Sequence, residues 1–574
     1  MKTFFFVPKL NASDDSTRDI YKDYQEIFSK ANLTNVDLVS FDKKQPFLSY
    51  INILEESLFL IPSILDTFNA FSYDGIEFAL KIYFYYASQK NNKFRIVILG
   101  IEEESEFWRH CRYSNILKCP HVDFIQYNIY SIRNYLLNTE SMDWTIDWNV
   151  CVDSLKKLNI SQPASYKTHH SITNEWCIYR WSKYLRIESI TIKKNIEEFL
   201  YFNYLKAIYH EAKIEDPESF LLSERGKILL IDDEAGKGWH TFFKSICNGS
   251  SYGATFDSIG STFKTMSKSE IIEQSERKIK EFDPDVVLLD LRLHNDDFDS
   301  QSPDNLTGAR IFEIIKDFNN GIQIVIFSAS NKVWNYLPFA SDGVILKESP
   351  ENSVKTNYTQ ECIGNMRNTL NSSLKKGCFL HVIYKSVDEI KNKLSEENEF
   401  CNSIKKQLDI AFYLVSKAET KEQYAFAYIS LYQIIEIITD CFIQREMISS
   451  EDDKMYYRWK IDNGEYIKEY SWDSATKKYN FQTQEEAHTV GEKSILPQWK
   501  KMAGLIFQKW NLSDHQLVRK LFYFIEKRNA FIHNDKEILD KKDQQDQDFL
   551  NHDIFDKTGF QKLLDCIKTI CLYL

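Results

Sequence analysis

Four short apolar runs between residues 226 and 350 constrain the fold more than any other feature of this sequence. Each run ends in polar or charged residues, and stretches with helical periodicity, such as LTGARIFEIIKDF, lie between them. Continuous apolar runs of this length are typical of strands buried on both faces, and strands that alternate with helices predict a parallel sheet. The runs are KILLIDDE (Lys227–Glu234), DVVLLDLRL (Asp285–Leu293), IQIVIFSAS (Ile322–Ser330) and DGVILKES (Asp342–Ser349).

The residues that end these strands predict a reactive site. The carboxyl ends of parallel strands meet at one edge of a sheet, where ligands of such sheets bind. The side chains expected to converge there are Asp232 with Asp233, Asp290, Ser328 and Lys347. The carboxylates offer the oxygen ligands that Mg²⁺ prefers, and Asp290 can attack phosphorus to form an acyl phosphate. Lys347 would stabilise charge on the transferring group, and Ser328 would donate a hydrogen bond to it.

This set of motifs resembles the receiver domain of two-component response regulators. The resemblance implies a flavodoxin-like fold over about 226–350, with Asp290 as the phosphoacceptor and Asp232, Asp233 and Asp290 as the Mg²⁺-binding carboxylates. It also implies that Ser328 is the switch hydroxyl and Lys347 the phosphoryl-binding lysine. The partner it implies is a histidine kinase or a phosphotransfer protein.

Three features depart from the receiver pattern. Val344 stands where the family has an aromatic switch residue, and Glu348 stands where it has a proline after the lysine. The loop after Asp290 is longer than usual and acidic, with the sequence HNDDFDSQSPDN. Metal binding and phosphorylation are therefore expected, without the usual aromatic relay. The alternative is a retired receiver that keeps these residues for stability.

Two blocks precede this domain. Residues 1–140 alternate apolar runs with amphipathic stretches, which predicts a doubly wound α/β domain. It lacks the acidic pair and the lysine, so it is expected to be a pseudo-receiver used for dimerisation or partner binding. Residues 141–222 are predicted to form a helical bridging region, with helices at Trp176–Leu185 and Lys194–Ala212. The predicted strands of the first block are Phe4–Val7, Val36–Ser40, Leu58–Pro62, Ile96–Leu99 and Val122–Gln126, and its clearest helices are Gly75–Ser88 and Ser105–Arg112.

The last block, about 385–574, is predicted to be all-α because its periodicity is helical throughout most of its length. The predicted helices are Glu399–Ala418, Lys421–Arg445, Leu512–His533 and Gly559–Leu572. Residues 450–495 interrupt this pattern with charged and aromatic residues. We interpret them as an insertion that contains a hairpin, because Asp462-Asn463-Gly464 supplies the residues of a tight turn.

A second motif follows the apolar stripe of the helix SDHQLVRKLFYFIEKRNAFIHND. Arg528, Asn529 and His533 form an R-N-x3-H sequence that resembles the motif of HEPN domains. The resemblance implies a metal-independent endoribonuclease with its cleft between two protomers, so a homodimer and an RNA substrate. It implies that His533 is the general acid or base, that Arg528 holds the scissile phosphate, and that Asn529 orients one of them. Glu436 is either a partner of Arg528 or an interface or solvent-facing residue.

Composition limits the remaining function classes. The net charge of −12 excludes a uniform nucleic-acid-binding surface but leaves a local basic groove open. The sequence has no signal peptide and no apolar run of roughly 18 residues, so we expect a cytoplasmic protein without a membrane span. Eleven cysteines include no C-x-x-C pair, and the spacing of His110, Cys111, Cys119 and His121 fits no common zinc module.

Taken together, the motifs predict a response-regulator-like effector in which phosphorylation of Asp290 controls a HEPN-type ribonuclease. Proteins that pair a signalling domain with a HEPN domain resemble bacterial anti-phage defence effectors. The alternative is a non-catalytic regulator or phosphate sink, in which the helical block serves for docking or dimerisation.

Overall fold

The computed structural model of the 574-residue chain contains two compact units. One comprises Met1–Phe312 with Ile324–Ser373, and the other comprises Glu313–Gln323 with Leu374–Leu574. The structure describes residues 2–8, 36–41, 56–65, 73–89, 93–139, 144–158, 160–163, 169–189, 199–209, 222–248, 253–298, 305–329, 341–355, 357–394, 398–449, 455–490, 495–532 and 555–574, together with isolated positions between these ranges.

The first unit begins with a five-stranded parallel sheet in the order β2-β1-β3-β4-β5. All five strands predicted in this block are confirmed to within two residues at each end. The strands are β1 (Lys2–Pro8), β2 (Val36–Phe41), β3 (Ser57–Pro62), β4 (Phe94–Gly100) and β5 (Val122–Gln126), and the helices are α1 (Asp74–Ser88), α2 (Glu104–His110) and α3 (Ile129–Leu137). Every residue of β3 is buried, as expected for a central strand covered on both faces.

Three helices follow in the bridging region. They are α4 (Trp148–Lys156), α5 (His169–Tyr184) and α6 (Leu200–Tyr209). Helix α6 packs on α1, where the rings of Phe84 and Tyr204 lie 5.6 Å apart. Helix α5 is buried on all sides: every residue from Ser171 to Ser182 is buried, including Asn174, Glu175 and Arg180. The sequence predicted only the second half of this helix, from Trp176.

The second sheet is also five-stranded and parallel, in the order β10-β9-β8-β6-β7. The four strands predicted from the apolar runs are confirmed. The strands are β6 (Gly226–Ile231), β7 (Ala254–Ile259), β8 (Val286–Leu289), β9 (Gln323–Ser328) and β10 (Gly343–Leu346), and the helices are α7 (Trp239–Asn248), α8 (Lys268–Phe282) and α9 (Thr307–Phe318). The edge strand β7 was not predicted, because its sequence ATFDSI is half polar and only partly buried.

The second unit is mainly helical. Its helices are α10 (Tyr358–Lys393, divided between the units), α11 (Glu399–Lys417), α12 (Lys421–Phe442), α13 (Gln498–Gly504), α14 (His515–Ile532) and α15 (Lys557–Ile570). One apolar core joins these helices, with Tyr428, Ile435, Val518 and Leu563 fully buried. Among the described residues, α12 is long and apolar enough to cross a membrane by length and composition alone, yet 56% of its apolar window is buried inside the protein. The core helix of a soluble protein has the same properties.

The insertion corrects two predictions. Helix α12 ends at Phe442 and not at Arg445, because β11 (Ile443–Ser449) begins there and pairs with β12 (Met455–Ile461). The predicted hairpin is wrong beyond its turn. A single bridge joins Lys460 to Tyr466, and the strands on the two sides of the turn then belong to different sheets. Strand β12 pairs instead with β11 and β15 (His488–Val490), and β13 (Lys468–Asp473) pairs with β14 (Lys478–Glu486).

Candidate functional site

The ends of four strands of the second sheet meet at one edge, as the sequence predicted. The backbone places them in register there: Asp290 N donates to Ile231 O at 3.0 Å, and Lys347 N donates to Ser328 O at 2.8 Å. Asp232 N donates to Ile259 O on the neighbouring edge strand at 3.2 Å. Ser328 is buried and is the last residue of β9, so it lies at the same edge of the sheet.

The charged side chains at this edge are in direct contact. Lys347 Nζ lies 2.7 Å from Asp232 Oδ2 and 3.7 Å from Asp290 Oδ2. One carboxylate oxygen from each of Asp232, Asp233 and Asp290 lies within 4.8 Å of the other two. Asp232 is fully buried, whereas the side chain of Asp290 keeps 15% of its surface exposed. Of Asp232, Asp290 and Lys347, Asp290 is therefore the side chain most accessible to a ligand.

Burial and mutual repulsion raise the pKa values of Asp233 and Asp290. Desolvation raises the pKa of Asp290 from 3.8 to about 7, with Lys347 opposing the shift and Asp232 adding to it. Desolvation and the neighbouring charges of Asp232 and Glu234 raise the pKa of Asp233 well above its ordinary value. The carboxylates of Asp232 and Asp290 raise the pKa of Lys347, which keeps it charged despite burial.

This donor set fits a small, hard divalent cation. Three carboxylates face one lysine, so the cluster carries excess negative charge that a cation would neutralise. All the side-chain donors are oxygens, which Mg²⁺ prefers, whereas zinc sites in proteins use nitrogen and sulfur as well. Among the described residues, this trio is the one group of acidic, histidine or cysteine side chains close enough together to hold a metal ion.

Two glycines allow the backbone to approach the site closely. Gly260 follows β7 with φ of +130°, and a Cβ atom there would lie 1.9 Å from the carbonyl oxygen of Asp232. Gly308 lies in the first turn of α9, where a Cβ atom would lie 2.4 Å from the carbonyl oxygen of Asp290. Any side chain at either position would displace the segment that carries an acidic residue of the site.

The described first part of the acidic loop after Asp290, up to Phe298, contains one buried carboxylate, that of Asp297. Asp297 Oδ2 accepts hydrogen bonds from the backbone N–H groups of Leu293 and His294, at 3.0 and 2.9 Å. Its other oxygen accepts from the backbone N–H and the hydroxyl of Thr307, the first residue of α9. Lys268 Nζ lies 2.8 Å from the same oxygen. Asp297 therefore ties the loop to the N-terminus of α9, a role that the sequence did not indicate.

The residue after Lys347 has a structural role that the sequence analysis missed. Glu348 is fully buried, and helix α5 supplies two of its partners: Arg180 Nε at 3.3 Å from Oε1 and Trp181 Nε1 at 3.2 Å from Oε2. The hydroxyls of Ser353 and Thr359 donate to Oε1 at 2.6 and 2.9 Å. The absence of the expected proline was visible in the sequence, and so was the unusual run WCIYRW in α5, but their contact was not.

The residue after the acidic pair is held by the same helix. Glu234 is buried and accepts a hydrogen bond from the Ser171 hydroxyl of α5 at 3.2 Å. Lys237 Nζ bridges Glu234 and Glu175 of α5 at 2.9 and 2.8 Å, and Lys264 Nζ lies 3.5 Å from Glu234. The lysines hold the pKa of Glu234 below its ordinary value, against the desolvation that is its largest influence.

The structure describes part of the second predicted site. Arg528 lies near the end of α14, where its Nη2 is 3.3 Å from Glu436 Oε1 and its Nη1 donates to Asn529 Oδ1 at 3.1 Å. Its guanidinium lies 4.3 Å above the ring of Tyr432. Of the two alternatives for Glu436, the pairing with Arg528 is observed, but the side chain is 40% exposed, so this residue also faces solvent and is not a buried partner. His533 lies outside the described residues, so its position relative to Arg528 stays a prediction.

No family model matches the sequence. A search of the curated proteins likewise finds no match. The interpretation of both sites therefore depends on their own side chains and geometry.

Proposed function

We propose that Asp290 accepts a phosphoryl group in a receiver-type, flavodoxin-like domain spanning about 226–350. The observation that carries this proposal is the contact of Lys347 with both Asp232 and Asp290 beside a trio of clustered carboxylates. A partly exposed carboxylate, faced by the buried Lys347 ammonium group and flanked by oxygens that could hold a metal ion, has the components of acyl phosphate chemistry.

Each residue has a distinct role in the transfer. An Asp290 carboxylate oxygen attacks phosphorus, and the bond from phosphorus to the donor's nitrogen or oxygen breaks, with the electron pair leaving on the donor. Lys347 stabilises the negative charge on the phosphoryl oxygens, and Ser328 donates a hydrogen bond to one of them. Asp232, Asp233 and Asp290 would hold Mg²⁺, which supplies further charge neutralisation when bound. The donor in the cell would be a histidine kinase or a phosphotransfer protein.

For the helical unit, we propose a HEPN-like ribonuclease that phosphorylation of Asp290 regulates. Arg528 would hold the scissile phosphate through its planar fork, and Asn529, hydrogen-bonded to it, would orient the guanidinium. His533 would transfer a proton as the ribose 2′-hydroxyl attacks phosphorus and the 5′-oxygen leaves, which requires RNA and no metal. The active form would be a homodimer, and residues 1–140 would act as a pseudo-receiver in pairing or partner binding. Bacterial anti-phage defence is the setting that this combination suggests.

One observation favours a non-catalytic alternative. Arg528 is already engaged by Glu436, Asn529 and the Tyr432 ring, as a structural arginine would be. In that case the helical unit is a docking or dimerisation module, and the protein is a signalling regulator or phosphate sink.

Phosphoacceptance is tested by labelling. Wild-type protein incubated with radiolabelled acetyl phosphate and Mg²⁺ should acquire phosphate that hydroxylamine releases, because hydroxylamine cleaves acyl phosphates. Asp290→Asn should acquire none. The matched control is Asp257→Asn on β7, where the carboxylate bonds to Lys278 Nζ at 2.5 Å and is no part of the site. Persistent labelling of Asp290→Asn, or an unlabelled wild type, would contradict the proposal.

A further inference from the structure

Helix α5 contacts the segments behind the phosphoacceptor site at two points. At one, Ser171 and Glu175 reach Glu234 and its partner Lys237, directly after Asp232 and Asp233. At the other, Arg180 and Trp181 bind Glu348, directly after Lys347. One buried helix thus holds the residues that follow two of the strand ends forming the site.

Further contacts fix the helix between these points. Asn174 Oδ1 accepts a hydrogen bond from Trp239 Nε1 at 2.7 Å, and the rings of Trp181 and Trp239 lie 5.8 Å apart. Trp239 is itself a neighbour of the site, because Lys347 Nζ lies 5.5 Å from the centre of its ring. A displacement of Lys347 can therefore alter the packing of α5 in two ways, through Trp239 and through Glu348.

The contact of α5 with this region contains unsatisfied polar atoms. Within the described part of the chain, Glu175 Oε2, Glu234 Oε2 and Asn174 Nδ2 are buried without a hydrogen-bond partner. Such atoms are costly, so this docking is less stable than a fully satisfied one and easier to shift by a change of charge nearby.

A bound phosphoryl group brings that change of charge. It carries about 1.5 to 2 negative charges on three strong acceptor oxygens, in place of the single charge that an ionised Asp290 carboxylate carries. Lys347, now hydrogen-bonded to Asp232, is drawn toward those oxygens, which pulls on the backbone of Glu348. Lys264, which is 44% exposed and lies 3.5 Å from Glu234, is attracted to the phosphoryl group as well. The negative charge of Glu234 then has less positive charge beside it.

From this arrangement we infer that α5 responds to the phosphoacceptor site: phosphorylation of Asp290 loosens the docking of α5. This change would replace the aromatic relay that receivers use. The inference rests on the proposed phosphoacceptance. It assigns a function to the bridging region, and it gives Glu348 a role at the position where receivers carry a proline. By linkage, a change that favours the loosened state of α5 must also favour phosphoryl binding, by no more than the factor by which it shifts the docking equilibrium.

The first experiment measures hydrogen exchange in the full-length protein with Mg²⁺ alone and with Mg²⁺ plus beryllofluoride, a phosphoryl mimic. We expect backbone amides of α5 to exchange about fivefold faster or more when beryllofluoride is bound, the lower end of typical coupling between sites. Fluorine NMR on the same samples reports whether the mimic is bound. Peptides from α3, which lies on the first sheet, provide the internal reference.

The outcomes separate the two proposals. Bound beryllofluoride with unchanged or slower exchange in α5 overturns the inference and leaves phosphoacceptance intact. No bound beryllofluoride in wild type overturns both.

A matched pair of serines in α5 provides the second experiment. Ser171→Ala removes the hydrogen bond to Glu234, whereas Ser182→Ala removes a buried hydroxyl that has no partner among the described residues. One hydrogen bond contributes about 1 kcal/mol, so Ser171→Ala should bind beryllofluoride with up to about fivefold higher affinity, and Ser182→Ala with wild-type affinity. Equal affinities in both variants, or weaker binding by Ser171→Ala alone, would rule out the coupling.

Discussion

Protons and the proposed Mg²⁺ would compete for the same oxygens at Asp290. Its pKa is raised to about 7, so near neutral pH the folded protein holds a proton there that the ordinary carboxyl would have lost. Asp233, whose pKa is also raised, adds to the competition. Because a cation can bind only as these protons leave, affinity for Mg²⁺ must rise with pH across this range.

This argument predicts a specific pH dependence. A group with a pKa of about 7 is about one-tenth ionised at pH ~6 and about nine-tenths at pH ~8, so the apparent dissociation constant for Mg²⁺ should fall about tenfold between them. Titration calorimetry of the full-length protein measures it. Asp290→Asn should bind Mg²⁺ weakly at both pH values, and Asp257→Asn should match wild type. A pH-independent affinity in wild type would contradict the assigned role of Asp290.

Sequence reasoning at this scale succeeded where the backbone alone determines position. Asp232, Asp233, Asp290 and Lys347 follow buried strands, so the topology of a parallel sheet brings them together without further information. Glu348 could not be interpreted in the same way, because its partner Arg180 lies 168 residues away in the chain. Whether a charged residue beside a strand is exposed or paired in the core depends on packing that local sequence does not contain.

At the level of elements, the backbones that follow β6 and β7 approach each other closely at the site. Gly260 directly follows β7 in a backbone conformation that favours glycine, and it lies against the carbonyl group of Asp232. The position of Asp232 thus depends on a residue of the neighbouring edge strand. Strain in this turn would be transmitted to the carboxylate that binds Lys347.

We predict that Gly260→Ala destabilises the protein by about 2 kcal/mol or more and slows labelling by acetyl phosphate, because both the backbone angle and the 1.9 Å approach become unfavourable. Gly364→Ala in α10 is the control: no described atom lies within 4 Å of the added methyl group, and alanine favours a helix, so stability should rise by about 0.5–1 kcal/mol. Scanning calorimetry measures both. Equal melting temperatures for wild type and Gly260→Ala would refute the prediction.

The elements that sequence reasoning missed share a physical cause. Strand β7 is an edge strand with alternating polar residues, so it lacks the continuous apolar run that revealed its neighbours. The turn at Asp462–Gly464 was predicted correctly, but the strands on either side of it pair with other strands. The predicted hairpin failed because strand pairing is decided by the sheet as a whole. Local signals place turns, whereas the two partners of the central strand β12, which are β11 and β15, are set by tertiary contacts.

On the scale of the whole molecule, the two compact units carry different chemistry. The first contains both parallel sheets and the acidic site, and the second contains helices α11–α15 and Arg528. A phosphate signal has a purpose only if it alters an output, and the candidate output is the proposed cleavage of RNA. The decisive question is therefore whether the helical unit is an enzyme or a docking module.

Incubation with total RNA in EDTA distinguishes these roles, because metal-dependent contaminating nucleases are then inactive. General acid–base catalysis contributes about 100-fold or more, so His533→Ala should reduce cleavage by at least that factor. His110→Ala, the same change at an exposed histidine of α2, should not. Attack by the 2′-hydroxyl must leave 2′,3′-cyclic phosphate ends, which identifies the reaction independently of its rate.

The same assay tests the regulation. Protein treated beforehand with acetyl phosphate and Mg²⁺, then assayed in EDTA, should cleave at a different rate from untreated protein, and Asp290→Asn should show no difference. If wild type and His533→Ala are equally inert before and after this treatment, the nuclease proposal fails and the non-catalytic regulator takes its place. If cleavage depends on His533 but not on Asp290, the helical unit is an enzyme that the acidic site does not control.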